Sequence, residues 1–259
     1  MNKKFKNLYL FFSSIVIFLL HIPFVFAKSV GRIADDINKH TNYKKIVIST
    51  GNPGDAITNI PAFAKFNVFD SLKLNMLGLS KNVFELAVKG LEKLKESGIV
   101  LSDNIISIAD FSQPSSSKRL YIIDLNNYSL LFQTYVAHGQ RSGKEYAEKF
   151  SNRPKSFQSS PGFYVTMSPY TGNNGYSLKL NGVETGINNN ALRRDIVIHG
   201  ADYVNETLVH EQGYIGRSWG CPAVPRGLNH SIIETIKNGT CLFIYPGQSS
   251  YLQKSTILN

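Results

Sequence analysis

Two kinds of hydrophobic patterning succeed each other along the chain. After Ser80, apolar residues Phe84, Ala87, Leu91 and Leu94 recur at helical spacing, and the run stops at Ser97-Gly98. That spacing predicts an amphipathic helix over residues 81–96, with Ser80 as its N-cap. Beyond Gln113-Pro114-Ser115-Ser116-Ser117 the pattern changes to short runs rich in β-branched and aromatic residues. Residues 120–125 and 130–137 read as two strands, and Asn126-Asn127 between them predicts a hairpin. Gly162 to Met167, Tyr176 to Leu180, Asp195 to His199 and Cys241 to Tyr245 continue the theme, with Gly- and Asn-rich turns such as residues 171–175. A second helix is expected from about Leu228 to Lys237. Together these predict a mostly β (α+β) domain over residues 115–247, preceded by a small helical part within 28–114 and followed by a polar, frayed tail at 248–259.

Residues 28–78 carry less signal. Lys45 to Ile48 reads as a short strand, while Asn52-Pro53-Gly54-Asp55 and Asn59-Ile60-Pro61 are turn chemistry. The first residues are clearer. Lys3, Lys4 and Lys6 precede an apolar run from Leu8 to Leu20, and Val25-Phe26-Ala27 supplies modest side chains before a cut. This is the order of a secretory signal peptide over residues 1–27, which predicts export to a periplasm. An uncleaved anchor is the alternative, since the stretch from Leu8 to Phe26 is nearly long enough to span a bilayer.

Cleavage removes three lysines and lowers the formal charge from +10 to +7. A basic surface suits an acidic polymer, and export together with the lack of any nucleic-acid motif argues against nucleic acid as that partner. The two cysteines, Cys221 and Cys241, could form a disulfide in an exported chain, but Cys241 opens an apolar run and is expected to pack as a small hydrophobe instead. Neither lies in ligand spacing with the other, which argues against zinc, and no cofactor is implied.

The segment richest in chemistry is residues 196–200, ending in His199-Gly200, followed by residues 216–222, which hold Arg217-Ser218-Trp219-Gly220-Cys221. His199 closes an apolar strand, and Cys221 sits in a tight turn between Gly220 and Pro222. A free thiol with pKa of about 8.5 needs help to become a nucleophile at neutral pH, and an imidazole can take its proton. The glycine permits amides to converge beside the sulfur as an oxyanion hole. By itself the pair is also what a core histidine and a buried thiol would give.

The pattern His199-Gly200, a loop, then Ser218-Trp219-Gly220-Cys221 resembles the signature of the L,D-transpeptidase catalytic domain, the YkuD-like family. It is similar in particular to the murein branch with Trp where most members carry His. Further stretches share the likeness: Asp110-Phe111-Ser112, Lys118-Arg119-Leu120-Tyr121, Val136-Ala137-His138-Gly139 with Ser142-Gly143, Phe150-Ser151-Asn152 and residues 239–243. The resemblance spans residues 80–246 and implies a YkuD-like, sandwich or barrel-like β fold. It implies Cys221 as nucleophile, His199 as base oriented by the Gly200 carbonyl, Ser218 as loop support, and amides of Trp219, Gly220 and Cys221 as oxyanion donors. It also implies donor and acceptor peptidoglycan stem peptides as partners, a Cys221 thioester, 3→3 cross-links and acylation by carbapenems. Water, a free D-amino acid or an outer-membrane protein are alternative acceptors, giving an L,D-carboxypeptidase or a protein ligase. A non-catalytic wall-binding protein is a further alternative.

Two departures from the commoner motif matter. Trp219 cannot transfer protons, and Pro222 has no N–H to offer an anion. Around the motif, Arg217 is a candidate for binding substrate carboxylates, whereas Arg193 and Arg194 are expected to be solvated. His138, at a strand end, is a candidate for lining the substrate cleft or orienting a loop, with a purely structural role as the equal alternative, and His210 is a weaker rival base.

Overall fold

The computed structural model describes residues 62–259 apart from 101 and 103. The expected leader at 1–27 and the strand at 45–48 lie outside the described residues. Helix α1 (Ala62–Ser71) and a 3-10 turn (Leu74–Leu77) lead into α2 (Lys81–Glu96). Ser80 is extended and its hydroxyl accepts from Val83 N–H at 3.3 Å, which satisfies one of the free donors of the first turn. The buried face of α2 carries Val83, Phe84, Ala87, Val88, Gly90, Leu91 and Leu94.

Eight strands form one sheet: β1 (Ile105–Asp110), β2 (Leu120–Asp124), β3 (Ser129–Thr134), β4 (Gly162–Gly172), β5 (Gly175–Gly182), β6 (Val197–Ala201), β7 (Ala223–Pro225) and β8 (Cys241–Tyr245). Their order is β3-β2-β1-β8-β4-β5-β6-β7, so the fold is mostly β with few helices. The β2–β3 turn forms at Asn126-Asn127 because Asp124 Oδ1 accepts from both of their amides, at 3.0 and 2.9 Å. The pairs β1–β8 and β6–β7 are parallel, and the others are antiparallel.

The central strands are apolar on both faces because both faces are covered. Ile106, Ile108, Tyr121, Ile123, Phe163, Cys241 and Phe243 join α2 in one core cluster. Their neighbours Ala109, Leu120, Ile122, Tyr164, Leu242 and Ile244 join a second cluster. Into it α4 (Arg226–Ile236) inserts Ile232, Ile233 and Ile236. Residues one apart thus belong to opposite cores, as the pleat of a strand requires.

The two edges of the sheet nearly meet. Ala137, beyond the end of β3, bridges Ala223 of β7, and Gly139 bridges Ser218. Ala137 N–H donates to Ala223 O at 2.8 Å, Ser218 N–H to His138 O at 2.9 Å and Gln140 N–H to Ser218 O at 2.7 Å. This leaves few unpaired backbone groups where β3 and β7 would otherwise be open edges.

Three features differ from the sequence-based expectation. Strand β1 lies ahead of residue 115, yet it occupies the middle of the sheet between β2 and β8. A short helix α3 (Glu206–Gln212) stands in the loop between His199 and Cys221. The tail is not frayed: α5 (Ser249–Lys254) is followed by Leu258, and Tyr251 and Leu258 are both buried in the first core. The physical reason is Glu184, wholly buried in the β5–β6 connection. Its Oε2 accepts from Phe163 N–H at 2.8 Å and from Tyr251 OH at 3.0 Å, while Oε1 accepts from Ser255 Oγ. A carboxylate fixed by three donors anchors residues that composition alone marks as loose.

Gly90 shows how tightly α2 seats on the sheet. A Cβ there would lie 2.0 Å from Phe163 Cζ, and that ring is itself buried and stacked on Phe243 at 4.2 Å. Gly→Ala inside a helix ordinarily stabilises by about 1 kcal/mol. Gly90→Ala is expected to do the opposite and cost about 1–3 kcal/mol through overpacking, read as a lower urea midpoint. A higher midpoint would contradict the packing.

Burial pushes the Glu184 carboxyl above its ordinary 4.5, against the opposing pull of its hydrogen-bond donors. A group raised on folding binds its proton more tightly in the native state. Its contribution is therefore full below the unfolded pKa and declines as pH rises through the folded one. Melting temperatures of wild type and Glu184→Gln between pH 4 and 8 test this. The wild type should lose stability relative to the variant as pH rises, and parallel curves would refute it.

Candidate active site

Strand β6 carries His199 between two neighbours: it pairs with Ser177 of β5 on one side and Ala223 of β7 on the other. Because β6 and β7 run parallel, Cys221, two residues before Ala223, enters the same end of the sheet as the start of β6. His199 is buried at 6% exposure, and its Nδ1 lies 3.2 Å from Gly200 O. A carbonyl only accepts, so Nδ1 carries the proton and Nε2 is left with a lone pair. Burial, countered in part by that hydrogen bond, keeps the imidazole below its ordinary 6.5, hence neutral at pH 7.

The Cys221 turn is held from within and from beneath. Ser218 Oγ donates to Cys221 O at 2.6 Å and accepts from Gly220 N–H at 3.0 Å. Ser159 Oγ donates to Gly220 O at 3.2 Å. Gly220 has φ +127°, and a Cβ would approach Gln158 O to 2.8 Å, so glycine is required both by conformation and by space. The Gly220 amide, an oxyanion candidate from sequence, is thus already engaged by Ser218.

Cys221 is half-buried, and its thiol donates to Asp195 O at 3.6 Å, not to His199. Burial pushes the thiol above its ordinary 9.0, while Val197 N–H and the Arg194 guanidinium pull the other way. Both members of the pair are therefore neutral at rest. They line one cleft of about 410 Å³ together with Asn174, Arg194, Tyr203 and Arg217. An adjoining cleft of about 250 Å³ shares Asn174, His199 and Tyr203 and extends to Asp202 and Arg226. The imidazole stands where the two meet.

The remaining sequence candidates divide. Trp219 is 73% exposed at the mouth of the cleft, edge-on to Phe157 at 5.6 Å between ring centres. Arg217 lines the cleft with a single protein hydrogen bond, Nη1 to Gly143 O at 3.2 Å, and its guanidinium lies over Tyr214. Among the described residues most of its donors remain free for an anion.

For His138 the structure favours the structural role over the cleft: it is not among the residues that line the cleft. It is wholly buried, with Arg119 Nη2 at 2.8 Å from Nδ1 and Gly143 O at 3.3 Å from Nε2. Arginine only donates, so Nδ1 accepts and Nε2–H faces the carbonyl. Burial first, and Arg119 second, push this imidazole down to about 3, so it stays neutral. It braces the same Gly143 carbonyl that Arg217 uses.

His210 sits exposed on α3 and lines neither cleft. Cys241 is free and buried in β8, in the first core, whereas Cys221 packs against the second. Sequence reasoning missed Asn174, Asp195 and Tyr203 as lining residues and misjudged Arg194. Expected to be solvated, Arg194 is half-buried and lines the cleft. Its only sequence signal is its place directly before the histidine strand.

A neutral imidazole with a free Nε2, a cysteine on a braced turn and an open cleft between them define a site suited to acyl transfer through sulfur. The family model for the L,D-transpeptidase catalytic domain matches residues 75–245, which is 171 of 259 residues, and the chain belongs to that family. The family is one of enzymes acting on peptidoglycan stem peptides.

No curated protein matches the chain. Among solved structures it is similar to an L,D-transpeptidase from Mycobacterium smegmatis, at 12% identity and TM-score 0.33, covering 54% of this chain and 58% of that one. It is also similar to the helical cell shape determining protein Pgp2 from Campylobacter jejuni, at 13% identity and TM-score 0.36, covering 60% of this chain and 53% of that one. A third is an L,D-transpeptidase (Yku) from Stackebrandtia nassauensis, at 11% identity and TM-score 0.33, covering 78% of this chain and all of that one. The chain thus spans between half and three fifths of the first two relatives' lengths.

The resting state of Cys221 is open to measurement. Alkylation by iodoacetamide is expected to modify Cys221 alone in the native fold, with an inflection above pH 9. Cys241, fully buried and shifted upward, should react only after denaturation. An inflection near pH 7 would mean that the thiolate is already formed at rest and would contradict this site.

Proposed function

We propose that this protein is an exported cysteine L,D-transpeptidase that acts on peptidoglycan tetrapeptide stems through a Cys221 thioester. The observation that carries the reading is that His199 and Cys221, the two residues the motif singles out, line the same cleft within the matched domain. His199 Nε2 takes the thiol proton, after Cys221 turns its S–H from the Asp195 carbonyl. The sulfur attacks the carbonyl of the L-configured centre of diaminopimelate in the donor stem. The oxyanion meets the amides of Trp219 and Cys221, since that of Gly220 is occupied by Ser218. Collapse breaks the bond to the terminal D-alanine, whose amine leaves with the proton from His199.

A second stem then presents its amine to the thioester. His199 accepts a proton from the attacking nitrogen and returns it to sulfur as the 3→3 cross-link forms. Arg217, with most of its donors unused, is the candidate to bind stem carboxylates. The shared position of His199 between two clefts supports access for donor and acceptor from different sides.

Reduced residues 28–259 incubated with disaccharide-tetrapeptide and followed by mass spectrometry test the reading. An adduct on Cys221 and a 3→3 dimer are expected, both absent in Cys221→Ala. His199→Ala should slow adduct formation by about 10²–10⁴-fold. Tripeptide without dimer would assign hydrolysis, and no adduct with either tetrapeptide or a carbapenem would overturn the enzyme reading.

A further inference from the structure

Arg194 is bound differently from every other cation at the cleft. Nη1 donates to Ser151 O at 2.7 Å and to Ser160 Oγ, and Nη2 donates to Gln158 O at 2.6 Å and to Ser156 Oγ at 3.2 Å. Arginine has five N–H donors, and four are spent on one segment of the chain. A guanidinium so engaged has little left with which to bind substrate. Arg217, in contrast, makes one such bond.

The segment that Arg194 holds is the one that supports the cysteine turn. Its Ser159 donates to Gly220 O and accepts from Gly139 N–H at 3.0 Å, so it joins the turn to the segment after β3 that bridges Ser218. A Cβ on Gly220 would lie 3.3 Å from Arg194 Nη2, which places the guanidinium against the peptide that precedes Cys221.

The charged and titratable groups around the sulfur are few. Asp195 and Arg194 approach from the turn before β6, His199 from β6 and Tyr203 from the loop after it. Tyr164 approaches from β4, and Arg217 from the cysteine's own loop. With His199 neutral and the tyrosines protonated, the two arginines are the only positive groups beside the sulfur among the described residues, and Arg217 extends outward to Gly143 and Tyr214.

We propose that Arg194 is a positioning residue for Cys221: it holds residues 151–160, whose Ser159 braces the Gly220–Cys221 turn, and supplies the fixed positive charge against which the thiolate forms. Because resting Cys221 and His199 are both neutral, proton transfer creates an ion pair in a half-buried place. A guanidinium already partly desolvated and oriented by its own hydrogen bonds stabilises the new anion without rearranging. The upward pull of burial on the thiol and the opposing pull of Arg194 agree with this arrangement.

The test uses the full chain with Arg194→Gln, Arg194→Met and Arg194→Lys. Iodoacetamide alkylation of Cys221 is followed against pH, and melting curves establish folding. Removing the charge should raise the alkylation inflection by about one pH unit, and Lys should restore most of it. One unit is about tenfold less thiolate at neutral pH, so adduct formation with tetrapeptide should fall at least tenfold in Gln and Met. A folded Gln variant with an unchanged inflection overturns the proposal. Failure of both uncharged variants to fold also overturns it, making Arg194 a scaffold residue only.

The proposal rests on Cys221 as the nucleophile, yet alkylation reads the sulfur directly. A shifted inflection with no thioester in the wild type would sink the enzyme reading alone. A thioester with no shift would sink the role of Arg194 alone.

Discussion

The parallel pairing of β6 with β7 is short, covering His199 to Ala201 on one strand and Ala223 to Pro225 on the other, yet both halves of the site hang on it. It fixes the level of His199 relative to the turn that holds Cys221. The same Ala223 is bridged from its other side by Ala137, so the strand that positions the cysteine also closes the sheet. A displacement of β7 would therefore open an edge and separate nucleophile from base together. Parallel strands need a long crossover, and the loop containing α3 supplies it.

Electrostatics in the cleft follow from partial burial. Desolvation disfavours the charged form of either member of the pair, lowering the imidazole and raising the thiol. The resting site thus stores no ion pair, and charge must be created during the reaction. What the protein contributes beforehand is orientation: a tautomer of His199 fixed by Gly200, a turn fixed by Ser218 and Ser159, and a guanidinium fixed by residues 151–160. His138 shows the contrasting use of an imidazole. Placed deeper and beside Arg119, it is held neutral and serves as a brace.

The scaffold beneath the site is built from strands covered on both faces. Helix α2 packs on one side through the gap left by Gly90, and α4 packs on the other. The carboxylate of Glu184 joins the C-terminal helix to β4 in the first of these layers. Core residues on this scaffold tolerate little change in volume, since Phe163 is confined between Gly90 and Phe243.

By itself the sequence determined those features that local chemistry decides. The spacing of Phe84, Ala87, Leu91 and Leu94 specifies a helix, Asn126-Asn127 after Asp124 specifies a turn, and alternating or continuous apolar runs specify strands. The His-Gly and Ser-Trp-Gly-Cys motif pointed to His199 and Cys221 through its resemblance to the family signature, since the residue types alone would equally suit a core histidine and a buried thiol. Tertiary structure decided everything that depends on residues distant in sequence. It sent His138 into the interior, since Arg119 and Gly143 meet it there, and exposed Trp219 beside Phe157. It converted Arg194 from an apparent surface charge into a clamp, because its four acceptors lie 34 to 43 residues earlier. It ordered a polar tail through one buried carboxylate. Burial and long-range hydrogen bonding are properties of the assembled fold, and no window along the chain contains them.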